Sequence, residues 1–226
     1  MRALGLAVAI AAVAAHIPIR YGLAAQDVAA RLEGRAPANV VRAVQGIAQD
    51  AAARGLPVEP LIQKTLEGSA KGVPAERVVA AVRLLAARLD EARSALREAG
   101  VATPSAEALE GGAYALSTGL SARQVSDLGR VSRPPYDPAL TLRIAATLTA
   151  LGVPAPQGIQ LLRHMIQGGR TPSELLGLPN EVQVSMARGA SAVEAAEALD
   201  IDDGQRGEQG PQDERGEQGE GRPRKP

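Results

Sequence analysis

Side chains able to do chemistry are few in this chain and widely separated. There are two histidines, His16 and His164, and no cysteine among 226 residues. A zinc or other transition-metal site needs several imidazole or thiolate ligands converging on one point. His164, in IQLLRHMIQGG, has no such neighbour in sequence, and no spaced carboxylate cluster stands in for one. No nucleophile elbow, P-loop or dinucleotide glycine fingerprint occurs. The nearest fragment, EGSAKG at 67–72, lacks P-loop spacing and reads as a helix end. Its Ser69 and Lys71 would need a positioned hydrogen bond to act as nucleophile and base.

Two acid pairs, Glu107 with Glu110 and Glu194 with Glu197, are spaced to share helix faces. Paired carboxylates can cleave glycans, one as acid and one as base or nucleophile. This chain has neither Phe nor Trp, and Tyr21, Tyr114 and Tyr136 are its only rings. Without aromatic platforms for a sugar, the four glutamates read as solvated surface acids. No residue is nominated as catalytic, cofactor-binding or metal-binding, and no cofactor is expected.

The elements carrying these residues follow from composition. Apolar residues make up 45% of the chain and aromatics 1%, so the apolar content is mostly Ala, Val and Leu. Alanine is the best helix former and buries little area, which predicts an all-α fold stabilised by many close helix contacts. Gly, Pro and capping residues then punctuate the helices. The pattern predicts helices over Asn39–Arg54, Pro57–Ala70 and Pro74–Ala99, then Pro104–Ser117 capped by Thr103. A short helix from Ser121, with Gln124 as capping-box partner, runs to Leu128, and RVSRPPYDP forms a loop. Helices over Asp137–Leu151 and Pro156–Gln167 follow, then three short ones started by Thr171 with Glu174, by Asn180, and by Ser191 with Glu194. Gly111 and Gly112 sit inside a helical pattern, where each costs about 1 kcal/mol relative to Ala. They imply close helix approach or a helix break.

Val78, Val82, Leu85, Leu89, Ala92 and Leu96 form one seam at coiled-coil spacing. It serves either as the core face of a central helix or as the contact of a homo-oligomer. Arginines on the same helix scatter around it among acids and do not form a phosphate track. With 25 basic and 25 acidic residues the chain lacks the net field of a nucleic-acid binder, so no nucleic acid is expected.

Internal similarity points to repetition. Gly55, Pro57, Ile62, Gln63 and Gly72 align at one constant offset with Gly152, Pro154, Ile159, Gln160 and Gly169. A third copy opens at Gly100 and closes at Gly119. The expected architecture is an Ala-rich helical bundle or a short irregular helical-repeat array.

The ends differ from the body. Residues 1–25 have a basic Arg2, an apolar run over Ala3–Ala15 and small residues before cleavage points after Ala15 or Ala25. That is signal-peptide grammar. The run is short and Ala-rich against the roughly 20 strongly apolar residues of a stable span, so cleavage is expected and an uncleaved anchor is the alternative. The tail, 202–226, contains the tandem RGEQGPQDE–RGEQGEGRP and has almost nothing to bury, so a disordered, mixed-charge segment is expected. The body is then one helical domain over 26–201, exported to the periplasm or secreted, acting through surfaces on protein partners. A carboxylate-based envelope hydrolase or lyase is the alternative if Glu107 and Glu110 are catalytic. A cytosolic helical regulator is the alternative if the N-terminus is not a signal.

Overall fold

The computed structural model describes residues 27–208. The expected signal segment and the part of the tail beyond Glu208 lie outside the described residues. Among those described, all regular secondary structure is helical. A helical stretch over 27–32, α1, is followed by α2 (Ala38–Ala53), α3 (Glu59–Ala70), α4 (Ala75–Glu98), α5 (Ala106–Thr118) and α6 (Ala122–Val131). Then come α7 (Pro138–Ala150), α8 (Ala155–Gln167), α9 (Pro172–Ala187) and α10 (Ala192–Glu208). The chain divides into two compact units between Ala86 and Ala87, inside α4.

The recurrent glycines are helix stops. Gly152 follows α7 with φ 101°, its N–H bonding back to the Thr149 carbonyl, while the Val153 N–H reaches the Leu148 carbonyl at 3.0 Å. This is the Schellman arrangement, in which a left-handed residue lets the next N–H satisfy an orphan helical carbonyl. Only glycine adopts that φ without crowding a Cβ against the backbone. Val153 is buried, so the same turn also seeds the next helix contact. Gly55 repeats the pattern after α2, with the Leu56 N–H on the Ala51 carbonyl at 2.9 Å. The aligned copies therefore correspond in structure: Gly55 and Gly152 end one helix, Gly72 and Gly169 the next, and Ile62 and Ile159 are both buried.

Helix starts follow the caps. Ser121 with Gln124, Thr171 with Glu174 and Ser191 with Glu194 form reciprocal capping boxes. Several boundaries differ from expectation: α3 starts at Glu59 and not Pro57, and α6 runs to Val131 and not Leu128. Helix α10 continues past Ile201, the expected end of the helical domain, so that 202–208 are helical and not part of a disordered tail. The cap of α5 is Ser105, whose hydroxyl accepts from the Ala108 N–H at 3.1 Å, so Pro104 precedes the helix and Thr103 does not cap it. Asn180 begins nothing: α9 runs from Pro172 through Pro179 to Ala187 as one helix. Proline in a helix interior removes a hydrogen bond and crowds the preceding turn. Leu175, Leu178 and Val182, all buried on one face, span the proline and hold both halves against the core.

In the first unit α2 packs on α3, burying Val40, Val44 and Ala48 with Leu61 and Ile62. Arg31 joins α1 to α3 through two hydrogen bonds to Glu59, at 2.5 and 2.7 Å. In the second unit α7 touches α5, α6, α8 and α9, and α10 lies on α8 and α9. The arrangement is bundle-like, and these contacts join helices adjacent or next-but-one in the chain. Small residues set the closest approaches. A Cβ on Gly112 would sit 2.7 Å from the Ala92 Cβ, and one on Gly129 would sit 2.8 Å from the Ala99 Cβ. Close approach, not a break, is thus what Gly112 provides.

Of the α4 seam, Val78, Val82, Leu89, Ala92 and Leu96 are buried within the single chain and Leu85 is half-buried. The described part of the seam is core.

Candidate functional site

The loop 132–137, SRPPYD, connects α6 to α7 and is fixed at three places in the second unit. At its start the Ser132 hydroxyl donates to the Leu128 carbonyl at 2.7 Å and lies 2.6 Å from the Thr141 hydroxyl, both side chains buried. At its centre Arg133 donates to the Ala99 carbonyl at 3.3 Å, and the Tyr136 N–H closes a turn on the Arg133 carbonyl at 2.8 Å. At its end the Tyr136 hydroxyl donates to the Arg170 carbonyl at 2.7 Å, beside the Ile166 carbonyl at 3.4 Å. Asp137 then caps α7, accepting from the Ala139 N–H at 2.8 Å. Pro134 and Pro135, joined by a cis bond, have no N–H to satisfy and stand exposed.

Opposite lies the α4–α5 connection. Together they enclose a cleft of about 520 Å³ lined by Val101, Ala108, Pro134, Pro135, Tyr136 and Pro138, with Ser105, Arg133 and Asp137 among its polar groups. The lining offers apolar ring faces, one cation and one carboxylate. Rigid, prolyl surface of this kind loses little entropy on contact and suits recognition. From sequence the segment reads only as a loop, because two prolines announce a turn and say nothing of what faces them. The one available signal is the tyrosine set between prolines in an almost ring-free chain.

The chemical candidates separate in the structure. At the start of α5, hydrogen bonds from its own backbone N–H and then from the Ser105 hydroxyl hold the Glu107 carboxyl below the usual range. Glu110 faces Arg143 at 3.7 Å. Glu194 is pulled down by the Ser191 backbone N–H and hydroxyl. A general acid at neutral pH needs a carboxyl pushed upward, so Glu107 and Glu194 are moved in the opposite direction. Ser69 Oγ is buried without a hydrogen-bond partner, while Lys71 pairs with Glu67 at 2.5 Å, so the two do not form a nucleophile–base hydrogen bond. His164 Nδ1 lies 2.8 Å from Asp200, joining α8 to α10. Among the described residues no group of three or more His, Cys, Asp or Glu converges for a metal, and no helix is long and apolar enough to cross a membrane. No protein-family model, curated protein or solved structure matches the chain.

Proposed function

We propose that the protein is an exported, non-enzymatic helical module that acts by binding a protein partner, with the Pro134–Tyr136 cleft as its contact face. The observation that carries this reading is the cleft itself: exposed prolines and a half-buried tyrosine on a loop pinned to Ala99 just after α4, to α6 and to the α8–α9 turn. A surface so held is preorganised, and preorganisation lowers the entropy lost on association. Export rests on the basic start, apolar run and small residues of 1–25.

Two experiments test the two halves of the proposal. Cell fractionation with N-terminal sequencing is expected to give an extracytoplasmic chain starting at His16 or Gln26; a cytosolic chain with Met1 intact refutes export. A photo-crosslinking residue at Pro135 is expected to give one discrete adduct in the native host, absent when it is placed at Arg163 on α8. Equal adducts at both positions, or none at either, refute the contact face.

A further inference from the structure

We propose that residues 222–226, RPRKP, occupy the cleft of their own chain as a polyproline II turn. In that helix three residues make one turn, so Pro223 and Pro226 fall on the same edge. Grooves that receive such a segment present aromatic and apolar faces to the prolines, and a carboxylate suits the flanking cation. The cleft has Tyr136, Pro134 and Pro135 for the first role and exposed Asp137 for the second. Asp137 accepts the Ala139 N–H of α7 through Oδ1, and its exposed carboxyl is the acceptor offered to Arg222 or Arg224.

Reach is sufficient. Asp200 on α10 is 2.8 Å from His164, and two residues along α8 the Ile166 carbonyl is 3.4 Å from the Tyr136 hydroxyl. The anchor of α10 and the hydroxyl of Tyr136 are therefore both attached to α8, near its C-terminal end. From Asp200 to Glu208 the helix advances about 12 Å, and residues 209–222 extend as far as about 45 Å. A tether of this length gives an effective concentration in the millimolar range, enough for a weak intramolecular contact. The inference rests on the cleft being a contact face; the tail would occupy it until a partner displaces it.

Since the chain has no cysteine, Gly221→Cys in the full-length protein accepts a single nitroxide. The expected result is paramagnetic broadening of backbone amides at 100–108 and 132–137. Free peptide 218–226 at millimolar concentration should reverse it, and Pro223→Ala with Pro226→Ala should reduce it at least threefold. Asp137→Asn, which still caps α7, should weaken it. Broadening spread evenly over the surface, or unchanged by the double proline substitution, overturns the proposal. Broadening that appears only between a spin-labelled chain and a separate isotope-labelled chain assigns the cleft to a second copy and also overturns it. The Pro135 crosslink separates the two readings by the mass of its adduct: one within the chain marks the tail and one to another protein marks a partner, so a failed tail contact and a failed contact face give different results.

Discussion

Replacing Gly112 by alanine pits two opposing effects against each other. Alanine in a helix interior is favoured over glycine by about 1 kcal/mol. At position 112 the new Cβ would lie 2.7 Å from the Ala92 Cβ on α4, where a carbon–carbon contact wants about 3.5–4.0 Å. Both atoms sit directly on helix backbones, so the relief must come from moving α5 and α4 apart by about 1 Å. Overpacking of this kind costs about 1–3 kcal/mol, and Gly112→Ala should lose up to about 2 kcal/mol net. Gly46, exposed in α2 and with nothing within 4 Å of where an alanine methyl would stand, supplies the control. Gly46→Ala should gain about 1 kcal/mol. Ala92→Gly should rescue Gly112→Ala to near the parent level, because the pair then exchanges partners at equal helix propensity. The assay is urea denaturation with hydrogen exchange read separately for α2–α3 and for α5–α7, so that each substitution is scored in its own unit. Gly112→Ala as stabilising as Gly46→Ala, or failure of the Ala92→Gly rescue, would refute the close approach.

Pro179→Ala should stabilise α9 by up to about 3 kcal/mol, since it restores a helical hydrogen bond without touching Leu175, Leu178 or Val182; an unchanged denaturation midpoint would count against an unbroken helix. Tyr136→Phe removes the bond to the Arg170 carbonyl and should cost about 1 kcal/mol, with faster hydrogen exchange at 132–137 as the local readout. Thr171→Ala should cost about 1 kcal/mol through the lost cap of α9, visible as faster exchange in its first turn. Side-chain hydrogen bonds from Arg31 and then Gln63 lower the Glu59 carboxyl from 4.5 to about 2. Its folded pKa lies below the unfolded one, so its contribution is full above about pH 4.5 and is lost as pH falls through about 2. Arg31→Gln should flatten the pH dependence of α1–α3 stability across that window; an identical acid profile in both proteins would show that the pair is not the source.

The amino-acid sequence by itself determined the helices and where they stop. Alanine content excluded other folds, and each Gly-apolar pair such as Gly152-Val153 carried its own stop signal, because a left-handed turn is a local property of the backbone. Caps were legible for the same reason: Ser121 with Gln124 needs nothing beyond its own first turn. Where tertiary contacts compete with local preference, the sequence pointed elsewhere. Asn180 read as the start of a new helix, yet the burial of Leu175 and Val182 on one face keeps α9 whole. Thr103 read as the cap of α5, and the structure places the cap two residues later, at Ser105. The cleft belongs wholly to tertiary structure. Its lining comes from the α4–α5 and α6–α7 connections with the first turns of α5 and α7, and the bond from Tyr136 to Arg170 spans 34 positions. No local pattern encodes that meeting; only the packing of α5, α6, α7 and α8 brings the prolines to face Val101.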